Sequence, residues 1–174
     1  MKKILIVVDM QNDFIDGSLG TREAQAIVPA VAEKIRGFDG PIFFTMDTHD
    51  QDYLATQEGQ RLPVPHCVAG THGWELRPEI CDAAEGKLCQ TQRKPAFGSV
   101  ELPEHIRNAV GDEPFTLELV GLCTDICVVS NALLLKAAMP EVPISVDAAC
   151  CAGVTPEKHA AALETLRSCQ IEVR

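Results

Sequence analysis

The sequence has 174 residues, of which 46% are hydrophobic, 23% are charged and only 5% are aromatic. This composition is typical of a globular protein with its own core, and it excludes a disordered chain. The net charge of −10, with 15 Lys and Arg residues scattered along the chain, argues against nucleic acid or an anionic membrane as a partner.

The first predicted element is a strand at residues 4–8, where the letters ILIVV form a continuous apolar run. Two Lys residues precede this run, but Asp9 ends it after five residues. That length is too short for a signal peptide or for the roughly 18 residues of a membrane span. No later apolar stretch reaches that length, so we expect no membrane partner.

Further short apolar runs follow, and they lack the polar alternation of half-exposed strands. They predict strands at residues 41–46, 87–91, 114–121, 143–147 and 171–173. Segments with helical character lie between them, at about residues 23–37, 101–110, 125–138 and 156–168. This alternation predicts an α/β fold, a single three-layer α/β/α domain over residues 1–174 with a mostly parallel, about six-stranded Rossmann-like sheet.

The stretch from residue 48 to residue 87 has little periodicity and contains several Pro and Gly residues. A structureless loop of this length in a compact domain usually has a function. Ligands of parallel sheets bind beyond the carboxyl ends of the strands, so we expect the functional residues there.

Reactive residues occur at four of these strand ends. Asp9 ends the first strand, Asp47 ends the second, Lys94 follows the third, and the segment GLCTDICVVSN (residues 121–131) follows the fourth. This segment carries Cys123 and Cys127. Two such cysteines can be small core residues, but an acid and a cation at the same edge of the sheet favour a nucleophilic thiol.

Cys127 is the better candidate for the nucleophile. It lies in the first turn of the helix predicted at 125–138, with Thr124 or Asp125 as a plausible N-cap. Free backbone N–H groups and the Lys94 ammonium would lower the pKa of its thiol from about 8.5. Cys123 precedes the cap, where its side chain has less reason to face a ligand.

The other cysteines are expected to be reduced. The chain has eight in all, but two of them, Cys150 and Cys151, are adjacent and could pair with each other only under strain. A chain with a full apolar pattern also needs no disulfide framework. We therefore expect free thiols and a cytoplasmic protein.

The segment DTHDQDYLATQEGQRLPVPHC suggests a metal site. In an extended segment Asp47 and His49 point to the same side, and His66 can return to them after a 16-residue loop. Two imidazoles and a carboxylate favour a divalent ion, zinc or iron. We expect His72 and His159 to be surface or cap residues.

Four motifs together resemble the isochorismatase-like cysteine hydrolases, the superfamily that includes nicotinamidases and N-carbamoylsarcosine amidases. They are VVDMQNDF on the first strand, DTH with PHCVAGT, KPAFGS after the third strand, and VGLCTDICV leading into the helix predicted at 125–138. They occur in the family's order, and the resemblance covers nearly the whole chain.

The resemblance implies that Asp9, Lys94 and Cys127 are catalytic and that Cys127 is the nucleophile. It also implies a cis peptide bond between Leu122 and Cys123, with the N–H of Cys123 receiving the oxyanion. In the nicotinamidase branch the metal ligands match Asp47, His49 and His66. The aromatic ring that lies beside the substrate matches Phe14.

Two positions depart from the nicotinamidase pattern. Pro63 stands where these enzymes often have a Trp, so that Trp74 could supply a second ring face only if its loop folded inward. The family's further His or Ser ligand has only Thr56 as a nearby match.

We predict cysteine-dependent hydrolysis of a small amide through a thioester, with nicotinamide as the first candidate and further copies of the chain as partners in a homo-oligomer. The alternatives are an N-carbamoyl amidase, a vinyl-ether hydrolase of the isochorismatase kind, and a catalytically silent binding module on the same fold. Family members with vinyl-ether activity commonly lack the nucleophilic cysteine, so Cys127 favours the amidase.

Overall fold

The computed structural model describes residues 1–111 and 113–174. Its strands form one six-stranded parallel sheet in the order β3-β2-β1-β4-β5-β6. Their bounds are β1 Lys2–Val8, β2 Ile42–Asp47, β3 Cys89–Lys94, β4 Phe115–Leu122, β5 Ile144–Ala152 and β6 Glu172–Val173. The α/β architecture with a parallel sheet of about six strands is therefore confirmed.

Helices cover both faces of the sheet. They are α1 Asn12–Ile15, α2 Arg22–Gly37, α3 Gln57–Arg61, α4 Pro78–Ala83, α5 Leu102–Val110, α6 Val129–Ala138 and α7 Pro156–Ser168. One core packs α2 and α4 against the sheet through residues such as Val31 and Ile80. The other packs α5, α6 and α7 through residues such as Ile106, Leu135 and Leu166. The central strands are thus buried on both faces, as their continuous apolar runs predicted.

Two strands differ from the prediction. β3 runs from Cys89 to Lys94 rather than over residues 87–91, so Lys94 ends the strand instead of following it. This edge strand has mostly exposed, polar side chains and gives little apolar signal. β5 continues past Asp147 to Ala152. The charge of Asp147 does not end the strand, since the ammonium of Lys34 lies 2.5 Å from its carboxylate.

The long segment after β2 is not structureless. It contains α3, α4 and two short 3-10 turns, Tyr53–Ala55 and His72–Trp74. These elements are three to six residues long, which is too short to produce a periodic apolar pattern. No helix in the described part of the chain is long and apolar enough to cross a membrane.

The strand order reverses between β1 and β4, which lie side by side although β2 and β3 come between them in sequence. This reversal opens a crevice at the carboxyl ends of the two strands, where parallel sheets bind ligands. Gly121 lets β4 approach β1 closely there: its φ is 114°, and a Cβ on it would lie 2.1 Å from the Val8 carbonyl oxygen.

Candidate active site

Lys94 is the centre of a buried cluster at this crevice. It is the last residue of β3, and its side chain is fully buried. Its Nζ lies 2.7 Å from Oδ2 of Asp9, 3.2 Å from Oδ1 of Asp47 and 3.5 Å from Sγ of Cys127. The structure therefore brings together the three side chains that the resemblance indicated as catalytic, and it joins them to Asp47 through one ammonium group.

Asp9 is held in a strained position directly after β1. Its φ of 46° lies in the left-handed region, which a non-glycine residue rarely adopts away from special sites. The hydroxyl of Thr45 donates a 2.6 Å hydrogen bond to Oδ1, which leaves Oδ2 facing Lys94. Neighbouring strands thus fix the orientation of this carboxylate before any substrate binds.

Cys127 lies in a π-helical turn, Thr124–Val128, that connects β4 to α6. The peptide bond between Leu122 and Cys123 is cis, as expected from the resemblance. The expected N-cap is wrong: Cys123 occupies that position and makes no side-chain cap hydrogen bond. Thr124 instead hydrogen-bonds with Nδ1 of His159 at 2.8 Å, and Asp125 accepts from the backbone N–H of Val154.

The expected low pKa of the Cys127 thiol is also wrong. Complete burial and the Asp9 carboxylate raise its pKa well above the ordinary value, and the Lys94 ammonium only partly offsets them. Burial likewise raises the pKa of Asp9. Burial alone would lower the pKa of Lys94, but the negative charges around it, Asp9 first, raise it. A protonated thiol therefore faces a carboxylate of raised basicity beside a permanent cation.

A second cluster adjoins the first. Oδ2 of Asp47 lies 3.1 Å from Nε2 of His49 and 3.6 Å from Nε2 of His66. Oε1 of Glu58 completes the group at 3.7 Å and 3.6 Å from the same two nitrogens. The potential ligand atoms of all four residues lie within 4.8 Å of one another. The three side chains predicted from sequence spacing therefore converge.

Glu58 was missed in the sequence, where Thr56 was the nearest match for a further ligand. Thr56 is instead the N-cap of α3, and its hydroxyl oxygen accepts from the N–H of Gly59. Glu58 follows in the first turn of that helix. The combination of a Thr cap with an acid two residues later was the available signal, because it places the acid on a short helix between His49 and His66.

The residues present fit a divalent cation. A tetrahedral ion with ligands at about 2.1 Å separates them by about 3.4 Å, close to the distances of 3.1–3.7 Å between the imidazole nitrogens and carboxylate oxygens. Nδ1 of His66 lies 2.9 Å from the carbonyl oxygen of Val64, which favours the tautomer with a free Nε2. Lys94 is the one lysine or arginine that the described residues place in an ion pair with Asp9 or Asp47, so three carboxylates, Asp9, Asp47 and Glu58, leave an excess of negative charge that a metal ion would balance.

The pKa values of Asp47 and His66 reflect the charges that surround them in this cluster. Burial would raise the pKa of Asp47, but hydrogen bonds from both imidazoles and the charge of Lys94 outweigh it and hold the pKa below its ordinary value. Burial would lower the pKa of His66, but Asp47 and Glu58 outweigh it and raise the pKa. A carboxylate that stays ionised in a buried site is a suitable ligand for a metal ion.

A small, mostly apolar cavity lies over both clusters. Its wall includes the metal-site residues Asp47, Glu58 and His66, and also Phe14, Leu19, Leu62, Phe97, Cys123, Ile126 and Cys127. Phe14 thus lies in the wall of this cavity, and its place beside a substrate stays a prediction. The expectation for Cys123 is wrong, because this residue forms part of the wall.

The other aromatic and imidazole candidates lie elsewhere. Trp74 does not fold inward: its Nε1 donates to the Thr48 hydroxyl, and Arg93 stacks on its ring. His72 is exposed beside Glu75. His159, expected at the surface or in a cap, is partly buried against the turn that carries Cys127. All eight cysteines are free thiols.

The sequence and the fold are similar to those of known proteins. The isochorismatase domain family model matches residues 3–174. A nicotinamidase/pyrazinamidase of Mycobacterium tuberculosis is 28% identical over 193 aligned residues, which cover 98% of this chain and 97% of that protein. The crystal structure of a nicotinamidase/pyrazinamidase from Bacillus subtilis has a TM-score of 0.83 at 28% identity and covers 99% of both chains. A pyrazinamidase of Pyrococcus horikoshii in complex with zinc has a TM-score of 0.81 at 26% identity, with 100% of this chain and 99% of that chain covered.

Proposed function

The chain belongs to the isochorismatase family, and we propose that it is a cysteine-dependent hydrolase of small amides related to the nicotinamidases. One observation carries the proposal: the buried ammonium of Lys94 lies within 3.5 Å of both the Asp9 carboxylate and the Cys127 thiol. Relatives named nicotinamidase or pyrazinamidase, aligned over nearly the whole chain, support the amide class.

Asp9 serves as the general base for the thiol. Burial raises the pKa values of both Asp9 and Cys127, so the carboxylate is more basic than an exposed one and the thiol keeps its proton until substrate binds. The raised pKa of Asp9 favours transfer of the thiol proton to this carboxylate, whereas the raised pKa of Cys127 opposes it, so the thiolate needs a stabilising charge nearby. Lys94 keeps its charge and stabilises the thiolate as it forms.

The first half of the reaction forms a thioester. Asp9 takes the Cys127 proton, and the thiolate attacks the amide carbonyl carbon. The backbone N–H groups of Cys123, which precedes the π-helical turn, and of Cys127, which lies within it, receive the oxyanion. The C–N bond then breaks, and Asp9 returns its proton to the leaving nitrogen, so that ammonia departs.

The second half regenerates the enzyme. Asp9 accepts a proton from a water molecule, whose oxygen attacks the thioester carbonyl. The carbon–sulfur bond breaks, the thiolate regains a proton through Asp9, and the carboxylic acid leaves. The same three side chains therefore serve both halves.

Asp47, His49, Glu58 and His66 would hold a divalent metal ion, and their mixed nitrogen and oxygen donors suit zinc or iron. Such an ion supplies Lewis acidity and an ordered water or substrate position when bound. The bond from Lys94 to Oδ1 of Asp47 leaves Oδ2 directed at the two imidazoles, so the same ammonium orients a metal ligand and the catalytic acid and base.

The substrate is a small, mostly uncharged primary amide. Apolar walls at Phe14, Leu62, Phe97 and Ile126 disfavour charge, and the ring of Phe14 offers a face for a planar substrate. Nicotinamide is the first compound to test. Pro63 and the outward position of Trp74 leave the exposed Phe97 as the other aromatic residue in the described cavity wall, so we expect weak binding of nicotinamide.

Ammonia release from nicotinamide, and from a panel of small primary amides and N-carbamoyl compounds, tests the proposal with Zn²⁺ or Fe²⁺ present. Wild type must exceed Cys127→Ala by at least about a hundredfold on one substrate. Mass spectrometry of Cys127 during turnover should detect the acyl adduct. Equal rates for wild type and Cys127→Ala on nicotinamide would remove the nicotinamidase assignment, and equal rates on the whole panel would remove the amidase class.

The alternatives give different results in the same preparation. A vinyl-ether hydrolase releases pyruvate from isochorismate, and its activity survives in Cys127→Ala. A silent binding module releases neither ammonia nor pyruvate.

A further inference from the structure

Asn131 is a fully buried amide one helical turn after the proposed nucleophile. Its Nδ2 donates a 2.8 Å hydrogen bond to the carbonyl oxygen of Cys127 and a 3.2 Å bond to that of Phe97. Its Oδ1 accepts a 2.9 Å bond from the N–H of Ser99. All three partners are backbone groups, and they belong to two segments that lie more than 25 residues apart in sequence.

These two segments are the ones that shape the reaction site. The first is the turn that carries Cys127. The second is the loop after Lys94, in which the carbonyl oxygen of Ala96 also accepts a 3.0 Å hydrogen bond from Nζ of Lys94. The Phe97 side chain of that loop forms part of the cavity wall, although it is 45% exposed. An aromatic side chain this exposed makes few packing contacts, so the hydrogen bonds that hold the backbone of residues 97 and 99 are important for its position.

We infer that Asn131 is a positioning residue that fixes the Cys127 turn and the Phe97 wall relative to each other. This inference rests on the proposed amide hydrolysis for its kinetic consequences. The bond to the Cys127 carbonyl oxygen sets the direction of the thiol and of the neighbouring N–H groups. The two bonds to the loop set the wall against which the substrate packs. Loss of the bond to Cys127 should therefore lower kcat, and loss of the two bonds to the loop should raise KM.

The side chain at position 131 can be changed so that these two anchors separate. A Thr in a helix can donate from its hydroxyl to the carbonyl oxygen four residues earlier, which here is that of Cys127. Val has nearly the same shape and no hydroxyl. Neither residue reaches the loop as the amide does. Asn131→Thr thus keeps the nucleophile anchor and loses the wall anchors, whereas Asn131→Val loses both.

The expected result is a split between kcat and KM. Both variants raise KM for the best amide about three- to tenfold, because both release the wall. Asn131→Thr retains kcat within about threefold, and Asn131→Val lowers it about 10- to 100-fold, which is the range for a displaced catalytic group. Ser145→Ala is the matched control, since it removes a buried hydrogen bond to the Leu117 carbonyl oxygen near the amino ends of β5 and β4, at the opposite end of these strands from the crevice. It should change neither constant more than about twofold.

Three outcomes overturn the inference. Equal kcat values for the Thr and Val variants would show that the amide does not position Cys127. Unchanged KM values in both would show that it does not hold the wall. If Ser145→Ala changed kcat and KM as much as the Asn131 variants do, the effect would be general destabilisation of the fold. If the Val variant does not fold, Asn131→Ala replaces it in the same comparison with Asn131→Thr.

Hydrogen exchange keeps this test separate from the proposed function. If wild type hydrolyses no amide, the proposed function fails, and backbone exchange alone decides the role of Asn131. In Asn131→Val the amides of residues 97–99 and 124–128 should then exchange at least about tenfold faster together, while Ser145→Ala leaves both unchanged. Faster exchange in one segment only would refute the coupling.

Discussion

Replacement of Lys94 by Met tests the charge balance of the crevice. Met keeps most of the apolar stem and removes the ammonium, which lies 2.7 Å from the Asp9 carboxylate and 3.2 Å from that of Asp47. All three side chains are at most 2% exposed, so solvent cannot replace the lost cation. The variant therefore leaves Asp9 buried without its counter-ion.

The magnitude follows from this burial. Removal of one partner from a buried ion pair typically costs about 3–5 kcal/mol in the free energy of unfolding. For a protein of this size, about 2–4 °C of Tm corresponds to each kcal/mol, so we expect Tm to fall by about 6–20 °C. Lys34→Met is the matched control. Lys34 also contacts two carboxylates, Glu118 and Asp147, but it is 25% exposed, and we expect its loss to cost only about 1 kcal/mol.

The deficit should also depend on pH. Removal of the cation raises the pKa of Asp9 further above its value in the unfolded chain, about 3.9. A carboxyl with a raised folded pKa favours the folded state at low pH, and this contribution is lost as pH rises through the folded pKa. The gap in Tm between wild type and Lys94→Met should therefore widen from pH 5 to pH 8.

Urea and thermal unfolding with excess EDTA measure these quantities without a contribution from bound metal. The double variant Asp9→Asn/Lys94→Met removes both charges and should recover more than half of the lost stability, since a neutral buried pair avoids the uncompensated charge. A loss below about 1 kcal/mol for Lys94→Met at pH 8, or a loss equal to that of Lys34→Met, would contradict the argument from burial.

Two further predictions concern the metal cluster and the crevice. Glu58→Gln removes the charge of one ligand of the proposed site, so it should weaken Zn²⁺ binding about 10- to 100-fold, as measured by titration calorimetry. The control, Glu79→Gln on the exposed start of α4, should leave the Zn²⁺ affinity unchanged. Equal affinities of the two variants would exclude Glu58 as a ligand. Gly121→Ala places a Cβ 2.1 Å from the Val8 carbonyl oxygen at a φ of 114°. In urea unfolding it should lower the free energy of unfolding by about 2 kcal/mol or more. In the control Gly37→Ala the new Cβ meets no atom within 4 Å, so the free energy of unfolding should change by less than about 1 kcal/mol.

The residues that belong to regular elements were predictable from the sequence. Continuous apolar runs are required where a strand is buried on both faces, so β1, β2 and β4 were found close to their observed bounds. A parallel sheet brings the carboxyl ends of its strands to one edge, and this rule sufficed to group Asp9, Lys94 and Cys127. The alternation of side chains along an extended segment likewise grouped Asp47 with His49.

The remaining features depended on distances between segments that are far apart in sequence. Glu58 joins the candidate metal cluster because the fold brings its carboxylate within 3.7 Å of both imidazoles, and Asn131 connects the Cys127 turn to the loop after Lys94. The direction of the Cys127 pKa was misjudged because helix position and a nearby cation are visible in the sequence, whereas complete burial beside Asp9 is not. Local periodicity records which face of an element is buried, but desolvation and side-chain contacts depend on every atom packed around a group, and only the tertiary structure determines those.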